Sequence, residues 1–107
     1  MKKIIKGKLY DTDTATKLCE YTYGNSSDHK YCHEALYKTK IGAYFLYGKG
    51  GAASQYAIQV SSNEYSGSKS IQAISIAAVL DWLEEHSELM PLDDALIQEL
   101  QNHLELA

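Results

Sequence analysis

The chain has 107 residues, 45% of them hydrophobic and 22% charged, which is the composition of one compact globular domain. One Pro and seven Gly argue against a fibrous or disordered chain, and no apolar run approaches the roughly 18 residues of a membrane span. The formal net charge of −4 divides by position: residues 1–50 carry nine Lys and five acids, net +4, whereas residues 51–107 carry one Lys and nine acids, net −8. All ten basic residues are Lys, and nine Tyr stand against one Phe and one Trp. Lysines at 2, 3 and 6 interrupt the N-terminus before a signal-peptide core can form, so the expected location is the cytoplasm.

Lys2 to Tyr10 alternates as a half-buried strand, with Lys6, Lys8 and Tyr10 on one side. Asp11-Thr12-Asp13-Thr14 is a turn, because its side chains bond nearby backbone, and Thr16 to Tyr23 is the returning strand. After the loop Gly24 to Asp28, a second hairpin pairs Glu34 to Thr39 with Ala43 to Tyr47 around Gly42. Ala52 to Val60 is a short helix or a covering segment, Asn63 to Ser68 a loop, and Ser70 to Ile74 a short strand. From Ile76 the period is helical, capped by Ser75 and running to about His86; Pro91 opens a second helix in which Leu96, Leu100 and Leu104 recur every four residues. The expected fold is therefore a single α+β domain: a four- or five-stranded antiparallel sheet from two hairpins, then two C-terminal helices.

Several patterns carry chemistry. Cys19, His29, Cys32 and His33 have zinc-ligand side chains but no Cys-x-x-Cys spacing, so no metal or other cofactor is expected. Cys32 and His33 are adjacent on an extended segment and point to opposite faces, which disfavours a nucleophile-base pair; with no other catalytic motif, the expectation is a non-enzyme. Gly48-Lys49-Gly50-Gly51 has the flavour of an anion cradle but lacks the order of a nucleotide loop, and such a run is more often only the flexible exit of a strand. Lys6, Lys8, Tyr10 and Lys49, with Tyr37, Tyr44 and Tyr47 on the second hairpin, could track a nucleic-acid backbone. The absence of Arg counts against base readout there. Asp81, Glu84, Glu85 and Glu88 fall at i, i+3, i+4 and i+7, on one helical stripe beside Trp82. Such a stripe is either a solvated outer face or a surface aimed at a basic partner, with Tyr44 and Tyr47 as further contact residues.

Lys8 to Ala15 and Leu36 to Gly51, with Ser54 to Ala57 and Ala78 to His86 more weakly, resemble a group of short proteins encoded by phages and other mobile elements of Gram-positive bacteria. Some members of that group are similar to anti-CRISPR proteins that inhibit Cas9. The resemblance implies a non-enzymatic inhibitor acting in the bacterial host cell, whose partner is a Cas9-type CRISPR effector or its guide RNA complex; no membrane is involved and a homodimer is admitted. It supplies no functional residues, and it does not extend past Pro91.

Overall fold

A computed structural model describes all 107 residues. It is an α+β structure whose centre is a four-stranded antiparallel sheet, flanked on one face by two helices and on the other by a small hairpin.

The chain opens with β1 (Lys2–Ile5) and β2 (Lys8–Asp11), which pair with each other with Ile5 opposite Lys8. The single strand expected from Lys2 to Tyr10 is thus folded in half. Lys6 and Gly7 both take positive φ, +51° and +78°, the combination that joins two strands through a two-residue turn matching their natural twist. β3 (Thr16–Tyr23) consequently pairs with β4 (Cys32–Lys38), and β4 pairs with β5 (Tyr44–Gly50) around a turn where Gly42 has φ +90° and the Thr39 hydroxyl accepts from the Ala43 N–H.

Residues 52–57 form a covering segment, and β6 (Ile58–Ser61) and β7 (Glu64–Ser66) make an exposed hairpin where a helix or covering segment and then a loop were expected. Ile58 and Val60 alternate with Gln59 and Ser61, a strand period too short to stand out in the sequence. β8 (Ser68–Ile74) completes the sheet beside β5, giving the order β3-β4-β5-β8.

Helix α1 (Ile76–His86) begins at the predicted cap, where Ser75 Oγ accepts from the Ala78 N–H at 3.2 Å. Helix α2 (Asp94–Leu100) starts three residues after Pro91, because the Asp93 carboxylate caps it by accepting from the Leu96 N–H at 2.8 Å. A 3-10 turn follows at Gln101–His103, so Leu104 lies outside the helix while Leu96 and Leu100 are buried.

The strand period sorts the core into two layers. Leu36, Tyr44 and Leu46 face the helices and meet Val79, Trp82 and Leu100. Tyr37, Phe45 and Ile71 face the other way and meet Tyr10 of the β1-β2 hairpin. There Phe45 stacks on Tyr37 at 5.0 Å between centroids and takes the edge of Tyr10 at 5.5 Å.

Candidate interaction surfaces

The acidic surface is built by α1. Burial of Val79, Trp82 and Leu83 against the sheet turns Asp81, Glu84 and Glu85 outward, and none of them has an ion-pair partner. Glu88 is exposed but lies beyond the helix C-cap Ser87, so it leaves the seven-residue spacing of the stripe. After Lys69 the chain holds eight acids and no Lys. Only Glu99 among these eight has a lysine partner, Lys38, at 2.5 Å. The two tyrosines expected to join this surface do not. Tyr44 is 9% exposed inside the helix-side core, where the Lys38 ammonium stands 5.7 Å from its ring. Tyr47 is half-buried on the opposite face, opposite Ala35 and Ile71 in the ladders. They stand three positions apart, an odd offset, and odd offsets put strand side chains on opposite faces.

The basic surface lies across the sheet. The turn at Lys6-Gly7 brings the hairpin beside β8, leaving an open cleft of about 660 Å³ lined by Lys3, Lys6, Lys8 and the 70–73 backbone. Lys3 Nζ donates to the Ile71 carbonyl across it at 3.2 Å. Lys6 sits in the turn and not in a strand with Lys8 and Tyr10. Tyr10 is buried edge-on against Phe45, so its ring cannot serve as a stacking platform for a base. Lys49 pairs in register with Lys69 on one side, two like charges that oppose one another, and with His33 on the other. Burial lowers the His33 pKa first, with Lys49 and Lys17 adding to the effect against the attraction of Glu20.

Between these surfaces the strand geometry buries a carboxylate, that of Glu34, the first residue of the strand expected from Glu34 to Thr39. Glu34 alternates with Cys32 and Leu36 on the helix-facing side of β4 and is 4% exposed. Its Oε1 accepts from Trp82 Nε1 at 3.1 Å and from the Tyr21 hydroxyl; its Oε2 accepts from Gln55 Nε2 at 3.1 Å and from the Tyr56 hydroxyl. Two donors on each oxygen satisfy a charge that burial would otherwise penalise by several kcal/mol. His86 stacks on Tyr21 at 4.2 Å, Nδ1 bonded to the Trp82 carbonyl, with Nε2 4.0 Å from Glu34. Gly48 lies opposite Glu34 in the ladder, and any Cβ there would overlap the Tyr56 ring. The one signal available beforehand was a charged residue in phase with Leu36.

This placement decides the smaller candidates. Gly48 and Gly50 are strand residues crossed by Tyr56 and Ser54, and the Gly51 N–H donates to the Tyr31 carbonyl; no helix follows, so the run is not an anion cradle. Trp82, beside the carboxylate stripe in sequence, is core and tied to Glu34. Cys32 turns toward Tyr21 and Gln55, whereas His33 turns to Thr22 Oγ1 at 2.9 Å on the other face. Burial pushes both thiols up, Cys19 to about 11, the reverse of what an activated nucleophile needs. Burial and then the hydrogen bond to Glu34 likewise raise Tyr21 and Tyr56, keeping both phenols protonated as donors. No group of three or more His, Cys, Asp or Glu is placed to hold a metal ion. No helix is long and apolar enough to cross a membrane.

Fold and surfaces together define a small α+β protein with exteriors of opposite charge on the two sides of one sheet. No protein-family model, curated protein or solved structure matches the chain.

Proposed function

We propose that this protein is a non-enzymatic inhibitor of the anti-CRISPR type, which binds a Cas9-type effector through its acidic helical layer and blocks engagement of guide RNA or DNA. The observation that carries the reading is the unpaired carboxylate face of α1, continued by Glu88, in a region that contains no lysine. An effector of that type holds nucleic acid in a positively charged channel. A rigid acidic layer competes for such a channel by steering encounter and by placing carboxylates where phosphates would lie. In this reading the host-cell cytoplasm is the site of action and no cofactor takes part.

The test is DNA cleavage by the effector with the protein in excess. Glu84→Lys with Glu85→Lys and Glu88→Lys is expected to slow association about tenfold at low salt, with folding stability changed by less than about 0.5 kcal/mol. Full cleavage at saturating protein would sink the proposal.

The lysine-lined cleft favours a second reading, a module that binds a nucleic-acid backbone without reading bases. Salt-dependent RNA or DNA binding by the free protein, abolished by Lys6→Glu with Lys8→Glu, would select it.

A further inference from the structure

The segment after Pro91 has no role in the resemblance or in the carboxylate stripe, yet it helps build the concavity lined by the most apolar residues. α1 and α2 leave between them a groove of about 530 Å³ whose walls include Leu80, Leu92, Ile97 and Leu104. Leu92, Ile97 and Leu104 are 52%, 43% and 44% exposed. Burying them would release water from apolar surface that the fold itself leaves wet. The tail of the chain does not fill the groove, since Leu106 beside it is fully exposed. The rim carries Glu84 and Glu105.

Three features define the occupant. Its contact stripe is apolar, to match the leucines. Its flanks are cationic, because every fixed charge on this part of the chain is negative. It is helical, because no lining residue belongs to a strand and the groove offers no free strand edge to an extended peptide, whereas a helix satisfies its own backbone hydrogen bonds. A symmetric contact with a second copy is disfavoured, since it would set Glu84 and Glu105 against their own kind.

We infer that the α1-α2 groove is a docking site for an amphipathic helix of a partner protein, apolar on one stripe and rich in Lys or Arg beside it. The inference rests on the acidic layer being the contact surface of the proposed function, and it adds the apolar half of the recognition.

The probe is a labelled synthetic peptide of about 14 residues with Leu on one helical stripe and Lys elsewhere, compared by fluorescence anisotropy with a scrambled Leu/Lys peptide and with a Leu/Glu peptide of the same pattern. The patterned Leu/Lys peptide should bind, and the two controls should bind at least about tenfold more weakly. Ile97→Asp with Leu104→Asp should lose about tenfold in affinity, with helical circular dichroism and the emission of buried Trp82 unchanged. Glu84→Lys with Glu105→Lys, which alters only the rim, should lose a similar factor. Equal binding of the scrambled peptide, or unchanged binding by both double variants, overturns the inference. So does a dimer in light scattering that Ile97→Asp dissolves, because a second copy would then own the groove. Peptide binding without effector binding would uphold the groove and remove the Cas9-type partner. Effector inhibition that survives Ile97→Asp with Leu104→Asp would overturn the groove and keep that partner.

Discussion

The helix-covered and hairpin-covered faces of the sheet are stabilised by different means. On the helix side a ten-residue core surrounds one buried carboxylate, and four donors from three separate parts of the chain converge on it. On the hairpin side five buried residues suffice, three of them aromatic rings in stacked and edge contact. The first arrangement hinges on one residue, because removing Glu34 takes the acceptor from Tyr21, Tyr56 and Trp82 at once. The second is graded, because each ring contributes its own buried area. The exteriors differ in the same way: the helices present carboxylates and leucines, and the hairpin presents lysines.

The contrast is most directly broken at Glu34. Glu34→Ala should cost about 3–5 kcal/mol in urea denaturation, because Tyr21, Gln55, Tyr56 and Trp82 lose their acceptor together, whereas Glu34→Gln, which keeps one oxygen, should cost less. A loss below about 1 kcal/mol for the alanine variant would mean the network does not organise this face. Tyr10→Ala should cost about 3 kcal/mol, confined to the other side. Hydrogen exchange should then show lost protection at the β1-β2 backbone with β3, β4 and β5 retained, and global unprotection would show that the two faces are not independent.

High pH should act mainly on the helix side. The Cys19 thiol goes from an ordinary 9.0 to about 11 in the folded chain, and Tyr21 and Tyr56 rise above the ordinary 10.0. These groups ionise first in the unfolded chain, so the stability they contribute is whole below about pH 9 and is lost as pH climbs through the folded values. Urea midpoints followed by Trp82 fluorescence should fall from pH 9 to 11, and Cys19→Ala should flatten the slope. The smallest effect concerns the strap between α2 and the sheet. A double-mutant cycle with Lys38→Met and Glu99→Gln should give a coupling of about 0.5 kcal/mol that vanishes in 1 M salt, as for other half-exposed pairs.

Much of the scaffold was legible in residue order. β3, β4, β5 and β8 overlap the segments expected to be strands, and α1 begins after Ser75 as its cap chemistry requires. The misreadings share one cause. Local patterns cannot tell how far a strand runs before it turns: Lys2 to Tyr10 has the alternation of one strand although Lys6 and Gly7 adopt positive φ, and Ile58 to Ser66 carries no local mark of a hairpin. Pro91 signalled a helix start, yet the carboxylate of Asp93, a better acceptor for the free N–H groups, set the boundary.

By itself the sequence determined the α+β class, the period of its main elements and the division of charge between the two halves, because these follow from local propensity and from counting. Only the tertiary structure decided which charges meet. It buried Glu34 among donors up to 48 residues away, hid Tyr10 and Tyr44, and placed the lysines of the β1-β2 hairpin and the carboxylates of α1 on opposite faces of one sheet. It also set α2 against α1 with a leucine groove between them. These outcomes depend on strand order and register, which non-local pairing creates and no window of neighbouring residues contains.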